Sequence, residues 1–210
     1  MTDFVIARKR SLDILKDLGY EISESLPLLE NAACRDRSTV VLRLLSLFAV
    51  VALSYGWDKR RGLIRDWLDS EQLLDCLTST ESRFVAGAVE LIPTMQWRLE
   101  TLFALAWACK ITEVSLLEGM PDDLVTWFPS IPNAEPTARF RKQIELRSNS
   151  ELLLELDLMY CLASAKTDLK LRGEIDKHES SPDLYTVQQR RHALEWLLSG
   201  FEWDEVELDT

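Results

Sequence analysis

The sequence lacks the short motifs on which the commonest enzyme classes depend. It has no G-x-S-x-G turn, no glycine loop of the kind that cradles phosphates and no dinucleotide-binding fingerprint. Hydrolase, kinase and dehydrogenase activities therefore have no positive support in the sequence. We predict neither a bound metal nor another cofactor, and the sequence favours a protein that is not an enzyme.

Cysteine pairs and long apolar runs are also missing. The four cysteines, Cys34, Cys76, Cys109 and Cys161, are widely spaced and form no C-x-x-C pair. This usage is typical of free thiols in a reducing compartment. The most apolar run, Leu44–Tyr55, is too short for a transmembrane helix, which needs about 20 apolar residues. We predict a cytoplasmic protein that does not enter a membrane, with this run as a buried core helix.

Basic side chains are outnumbered by acidic ones, 24 to 35, and the net charge is −11. A field of this sign repels the phosphates of nucleic acids and of anionic lipids, so general binding to either is excluded. The charge is compatible with a protein partner, with a homo-oligomer and with a small-molecule ligand, and the composition does not choose among them.

Strand signals are nearly absent, and glycine is rare. No Asn-Gly or Asp-Gly hairpin turn occurs, and the only short alternating run is QIELR at 143–147. Most glycines follow an apolar helical segment, where a residue without a Cβ atom ends a helix easily. Five of the seven do so: Gly19, Gly56, Gly119, Gly173 and Gly200. The predicted fold is all-α, a single irregular domain over residues 1–210 with roughly eight to ten helices.

Apolar periodicity places the helices. The segment Leu44–Leu53 is predicted to be the most buried, and Pro93 is expected to end the helix before it. Pro129, Pro132 and Pro136 predict a loop at 129–136, which is the only candidate internal hinge. The predicted helices run at about Asp3–Leu18, Ser38–Tyr55, Asp58–Leu68, Ser70–Leu77, Thr80–Ile92, Thr94–Lys110, Ser150–Arg172 and Pro182–Ser199.

Candidate chemical groups on the last helices have simple structural interpretations. His192 and Glu195 lie three residues apart on one helix face, but no second pair completes a metal site. We therefore expect a solvated histidine beside a solvated carboxylate. Cys161 with His192 would be a nucleophile and base only if a thiolate were stabilised in a cleft. Cys161 stands in an apolar stripe, so a packed core thiol is expected.

Aromatic side chains fall into two groups. Most tryptophans lie on apolar helix faces and are expected to pack in the core. Trp127 and Phe128 precede the proline-rich loop, where they either contact a partner, line a pocket or cap the core from outside. The tryptophans expected in the core are Trp57, Trp67, Trp97, Trp107 and Trp196.

The most plausible polar cluster combines Glu100, Arg190, Arg191, Asp204 and Glu205. Glu100 lies within an apolar helix face and needs a charged partner, which a planar guanidinium supplies. After the tandem arginines the chain has six carboxylates and no Lys or Arg. The cluster is interpreted first as a clamp that ties the tail to the helices, and second as the wall of a ligand pocket. In the clamp, Trp203 packs on the last helix and Asp204 or Glu205 pairs with Arg190 or Arg191.

Four segments of the sequence resemble a bacterial family catalogued as domain of unknown function 4272. They are RSLDILKDLGYEISESLP at 10–27, W-x-x-E-T-L-F-A-L-A-W-A at 97–108, RRHALEWL at 190–197 and WDEVELDT at 203–210. The resemblance implies a soluble, mostly helical, cytoplasmic protein, and the family carries no established activity. The sequence departs from the family after Asp157, Leu158, Met159 and Tyr160, where small residues replace the Arg, His and Trp that the family tends to have.

The preferred interpretation is a non-enzymatic protein-interaction or regulatory domain. The alternative is a small-molecule-binding domain or a cryptic hydrolase with an Arg and carboxylate pocket. A deep cleft at the polar cluster favours the alternative, whereas a flat, filled surface favours the interaction domain.

Overall fold

The computed structural model describes residues 3–23, 26–29, 33–174 and 182–208. Throughout these ranges the protein is all-α, with eight α-helices and no strand, so the predicted fold class is confirmed. The helices are α1 (Asp3–Asp17), α2 (Arg37–Ser54), α3 (Trp57–Ser70), α4 (Ser79–Ala86), α5 (Ile92–Ala108), α6 (Ala138–Gln143), α7 (Asn149–Leu171) and α8 (Leu184–Leu198). Short 3-10 turns lie at Leu74–Cys76, Val89–Leu91, Leu124–Trp127, Ile131–Asn133 and Trp203–Glu205.

The chain divides into two compact units. The first unit comprises Met1–Arg35, Ser115–Gly119 and Arg147–Thr210, and the second comprises Asp36–Val114 and Met120–Leu146. The proline-rich segment (129–136) lies inside the second unit. The single domain and the hinge at this segment stay predictions.

In the first unit α7 packs against both α1 and α8. Its start is fixed by a capping box, in which the Ser148 side chain accepts a hydrogen bond from Glu151 N and Glu151 accepts one from Ser148 N. One turn later the apolar stripe of α7 enters the core, where Leu152, Leu156 and Leu162 are buried. The helix that carries Asp157 and Tyr160 is therefore enclosed by neighbours on two sides.

The second unit is built on α2. The Asp36 side chain accepts a hydrogen bond from Thr39 N and caps the helix, which packs against α5 and α3. Thirteen of its 18 residues are buried, so the prediction of a buried core helix is confirmed. Among the described helices α2 alone is long and apolar enough to cross a membrane by length and composition, and 72% of that stretch is buried inside the protein.

Two predicted helix boundaries are wrong. The segment Ser70–Leu77 is not a helix, because Gln72 adopts a left-handed conformation (φ 57°) and only Leu74–Cys76 forms a 3-10 turn. The predicted helix Thr80–Ile92 ends at Ala86, since Gly87 has φ 140°.

Pro93 begins a helix instead of ending one. It stands in the first turn of α5, where a fixed φ and a missing N–H cost nothing. The core prediction holds for Trp67, Trp107 and Trp196, all of which are buried. It is wrong for Trp97, which is 45% exposed, because the continuously buried part of α5 is its C-terminal half. The side chain of Trp57 lies outside the described side chains.

Candidate functional site

Arg190 on α8 connects two parts of the first unit through hydrogen bonds. Its side chain is 1% exposed, and its Nη1 donates hydrogen bonds to Leu116 O at 2.6 Å and to Glu118 O at 2.7 Å. Both acceptors belong to the segment Ser115–Gly119. Hydrogen bonds from a charged donor to carbonyl groups in a buried setting are among the stronger ones in proteins. The guanidinium therefore holds this segment on α8.

Arg191 fixes the tail to the same helix. Its Nη2 lies 3.1 Å from Glu195 Oε1, one turn along α8, and its guanidinium carbon lies 4.7 Å from the centre of the Tyr160 ring. Its Nη1 donates to Leu208 O at 3.5 Å, a long contact. The residue thus connects α7, α8 and the end of the described tail.

Trp203 packs back onto α8, as the sequence predicts. It is 3% exposed, and its ring lies edge-on to His192 at 4.8 Å and to Trp196 at 5.1 Å. The ring nitrogen Nε2 of His192 is 3.1 Å from Trp203 O. The expectation of a solvated histidine is therefore wrong: the returning tail buries His192.

The remaining members of the predicted cluster lie at different places. Asp204 and Glu205 are exposed, and Glu205 accepts a hydrogen bond from Glu202 N within the last 3-10 turn. Glu100 is half-buried on α5 in the second unit. Pairing of these carboxylates with Arg190 or Arg191 stays a prediction.

A buried ion pair beside this cluster was missed by the sequence reasoning. Asp157 on α7 is buried and accepts hydrogen bonds from Arg8 Nε at 3.2 Å and from Arg8 Nη2 at 3.1 Å. Arg8 also donates to Leu26 O and Pro27 O, and it lies 5.7 Å from the Tyr160 ring. The available signal was an aspartate within an apolar helix stripe, since a buried carboxylate requires a cation or several donors.

Cys161 is a packed thiol, as expected. It is fully buried on α7, and its Sγ lies 3.7 Å from Asp157 Oδ2. Burial, followed by the adjacent negative charge of Asp157, raises the pKa of Cys161 to about 12. The thiol is protonated at neutral pH and does not suit nucleophilic chemistry. Within the described residues no group of three His, Cys, Asp or Glu side chains is arranged to hold a metal ion.

The second unit contains an apolar cleft. It has a volume of about 590 Å³ and lies between α2, α3 and the proline-rich segment. We call it the apolar cleft. Its lining comes from α2 (Phe48, Val51, Ala52), from the residue after it (Tyr55), from α3 (Arg60, Leu63, Ile64), from α5 (Leu99) and from the segment Val125, Thr126, Phe128, Pro129, Ser130, Ile131, Pro132 and Glu135.

One of the two predicted loop aromatics forms part of this cleft. Phe128 is buried and stacks on Phe48 with 4.5 Å between the ring centroids. It both caps the core and lines a pocket, two of the roles left open by the sequence. Trp127 is half-buried and is not part of the lining.

The proline-rich wall of the cleft is held by hydrogen bonds. Glu135 Oε2 accepts from Ser130 N at 2.8 Å, and Glu135 O accepts from Trp67 Nε1 of α3 at 3.1 Å. Ala134 adopts a left-handed conformation, with its N–H donating to Ile131 O at 2.9 Å. These contacts fix the segment beside α3 and give the cleft a defined wall.

Comparison with known proteins identifies the family. The sequence model of the family described as Domain of unknown function (DUF4272) matches residues 7–206. No curated protein and no solved structure gives a significant match to the chain. The matched range covers nearly the whole chain and includes most of α1 and all of α2 to α8. The chain therefore belongs to the DUF4272 family.

Proposed function

We propose that this protein is a non-enzymatic regulatory protein that works by binding an apolar molecule in the apolar cleft. The observation that carries the proposal is the cleft itself, with a volume of about 590 Å³ and mostly aliphatic and aromatic walls. Binding sites for small molecules typically have volumes of about 300–1,000 Å³ and such walls, with a few polar groups that orient the ligand.

The polar groups at the cleft support binding over catalysis. Acyl or phosphoryl transfer through a covalent intermediate needs a nucleophile beside a base. The described lining includes no His or Cys. One of its hydroxyl-bearing residues, Ser130, also donates its backbone N–H to Glu135 Oε2 in the wall of the cleft. The described contacts of the Thr126 and Ser130 hydroxyl groups are with Asp123 O and Asn133 Nδ2, and neither partner is a general base.

The arginines of α8 support the same choice. The alternative of an Arg and carboxylate pocket requires their guanidinium groups to face a ligand. Arg190 instead donates to Leu116 O and Glu118 O, and Arg191 pairs with Glu195 and contacts Leu208 O. Their described contacts are those of a clamp within the first unit.

A protein partner is a second candidate occupant of the cleft. Tyr55 is 60% exposed and Val125 is 52% exposed, and both belong to its lining. Exposed apolar side chains around a concave site are typical of protein-interaction surfaces. A partner would then insert one apolar side chain into the cleft and cover these two residues.

A cleft-filling variant tests the proposal. Ala52 lines the cleft from α2, so Ala52→Phe places a ring in it, whereas Val89→Phe adds a ring at an exposed position outside it. We expect neutral N-phenylnaphthylamine to bind the native protein with enhanced fluorescence, Val89→Phe to bind equally and Ala52→Phe to lose at least about 90% of the affinity, a tenfold change. Equal binding by all three proteins would overturn the site.

The non-enzymatic part of the proposal has its own test. Purified native protein is expected to leave a panel of esters, phosphate esters and amides unchanged. Turnover by the native protein that Ala52→Phe abolishes and Val89→Phe retains would show that the cleft is an active site, and the proposal would be wrong.

A further inference from the structure

The chemical class of the ligand is indicated by one side chain of α3. Arg60, Leu63 and Ile64 all line the apolar cleft and lie at positions i, i+3 and i+4, on one face of the helix. The face therefore presents a cation and, one turn later, two aliphatic side chains. Such a wall matches a molecule with an apolar body and a charged end.

Among the side chains that the structure describes, none serves as a counter-ion to the guanidinium of Arg60. No described residue forms a hydrogen bond or an ion pair with its side chain, which is exposed at the cleft. Its neighbour Arg61 differs, since Arg61 Nε donates to Val85 O at 3.1 Å and its Nη2 donates to Ala86 O. Arg43, also in this unit, is buried in a pair with Glu81. Arg60 thus keeps its donors available to a ligand.

Gly56 positions this arginine. A Cβ atom built on Gly56 would lie 2.6 Å from Arg60 Cδ, closer than such contacts occur, and 3.1 Å from Arg60 Nε, closer than most of them. The backbone of Gly56 has φ −146°, which other residues also adopt, so the glycine is required for the close approach and not for its conformation. The aliphatic stem of Arg60 lies against this backbone, which directs the guanidinium.

The other charged residue of the lining is partly engaged within the wall of the cleft. Glu135 lines the cleft from the proline-rich segment, but its Oε2 already accepts a hydrogen bond from Ser130 N at 2.8 Å. Glu135 Oε2 is engaged in the wall, whereas the guanidinium donors of Arg60 on α3 are available. This difference favours a ligand with acceptor oxygens. Guanidinium groups bind carboxylate, sulfonate and phosphate oxygens through two parallel hydrogen bonds.

We infer that the ligand of the apolar cleft is an organic anion, whose apolar body fills the cleft and whose carboxylate or other acidic head binds Arg60. This inference rests on the proposed function and adds the charge of the ligand to it. Gly56 acts as a positioning residue for the head-binding arginine.

Two probes that differ in one acidic group test the inference. Anilinonaphthalene sulfonate carries an aromatic body with an anionic head, and N-phenylnaphthylamine has a similar body without it. We expect Arg60→Gln to weaken the sulfonate about tenfold, the size of one charge-assisted contact at a partly exposed site. The neutral probe is expected to bind Arg60→Gln within about twofold of the native protein, because the apolar contacts are unchanged.

Matched variants separate the head group from general charge. Arg65 is an exposed arginine of the same helix outside the lining, so Arg65→Gln is expected to leave both probes unchanged. Gly56→Ala, which displaces Arg60, is expected to weaken the sulfonate more than the neutral probe. Added salt is expected to lower the affinity of the native protein for the sulfonate probe and to have little effect on the affinity of Arg60→Gln.

The outcomes distinguish the two levels of the proposal. If Ala52→Phe abolishes binding of both probes but Arg60→Gln affects the two equally, the anionic ligand is wrong and the cleft stands as the site. An equal loss of the sulfonate in Arg65→Gln would likewise overturn the role of Arg60. If Ala52→Phe changes neither probe, the proposed function itself fails.

Discussion

Phe128, just before the proline-rich segment, lies flat against Phe48 of α2, with 4.5 Å between the ring centroids and 10° between the ring planes. Phe48 also meets Trp67 of α3 edge-on at 6.4 Å, and Phe128 lies 5.7 Å from Phe140. The stack joins two walls of the apolar cleft, namely α2 and the proline-rich wall next to Phe128. The shape of the cleft therefore depends on Phe128.

Truncation of Phe128 is expected to affect stability and binding together. Because the ring is buried against Phe48, Phe128→Ala should lower the free energy of unfolding by about 3–5 kcal/mol. Trp127→Ala is the control, since Trp127 is only half-buried and lies outside the lining. Trp127→Ala should lower the free energy of unfolding, measured with denaturant, by less than Phe128→Ala does. It should leave the binding of N-phenylnaphthylamine unchanged. Equal effects of the two variants would show that the stack does not shape the cleft.

The tail is expected to contribute to stability through one aromatic residue. Trp203 is buried against His192 and Trp196, whereas Phe201, two residues earlier, is 59% exposed. Trp203→Ala should therefore lower the free energy of unfolding by about 3–5 kcal/mol, and Phe201→Ala by less than about 0.5 kcal/mol. Thermal unfolding measures both. A Tm unchanged by Trp203→Ala would mean that the tail is not docked on α8.

The buried ion pair of the second unit is expected to depend on both partners. Arg43 Nη1 donates to Glu81 Oε2 at 2.8 Å, and Glu81 also accepts from Thr78 N in the cap of α4. Arg43→Ala leaves a buried carboxylate without its cation and should cost about 3–5 kcal/mol of unfolding free energy in denaturant titration.

The exposed pair Arg83–Glu90, 3.6 Å apart in the same unit, provides the control. Arg83→Ala should cost less than about 1 kcal/mol, because solvent screens exposed charges. If Arg43→Ala were as mild as Arg83→Ala, the pair with Glu81 would not be formed in solution.

Glu155 gives the first unit a pH-dependent stability. Burial raises the pKa of this α7 carboxyl to about 7 from its ordinary value of 4.5, and the nearby charges of Arg10, Arg147 and Arg190 lower it only in part. Its Oε1 is shielded from solvent and has no described hydrogen-bond donor. The folded state therefore binds this proton more tightly than the unfolded state.

The sign of the pH effect follows from the raised pKa. The favourable contribution of Glu155 is complete below pH 4.5 and is lost as the pH rises to about 7. The Glu155→Gln side chain stays neutral at every pH. Its free energy of unfolding should match that of the native protein below pH 4.5 and exceed it by at most about 3 kcal/mol above about pH 7. Asp168→Asn on the same helix is the control. A difference between Glu155→Gln and native protein that is independent of pH would contradict the raised pKa.

Local signals in the sequence were sufficient for much of the fold and for the tail. Apolar periodicity located α2, α5, α7 and α8 because each buries a broad face. Trp203 returns to α8 as expected, although Gly200 does not adopt a positive φ. The same local reasoning failed at Gln72, which adopts a left-handed conformation beside the buried Leu73 although its residue type does not favour that conformation.

The cleft and the buried ion pairs depend on distant residues. Arg8 and Asp157 are 149 residues apart in sequence, so the partner of Asp157 could not be named from its own helix. Val51, Leu63 and Ile131 look like ordinary core residues, and only the packing of three elements leaves a space between them. Phe128 could be recognised as a residue of interest because it stands on a loop beside prolines.

The position of the binding site is tested most directly by methyl NMR. Protein labelled at the methyl groups of Ile, Leu and Val is titrated with N-phenylnaphthylamine, whose aromatic rings shift nearby methyl signals. We expect the signals of Val51, Leu63, Ile64 and Ile131 of the cleft to move in a saturable manner. Signals of Leu152, Leu156 and Leu162, buried in the first unit, should stay unchanged. Saturable shifts confined to the first unit, or no shift at the cleft, would contradict the apolar cleft as the binding site.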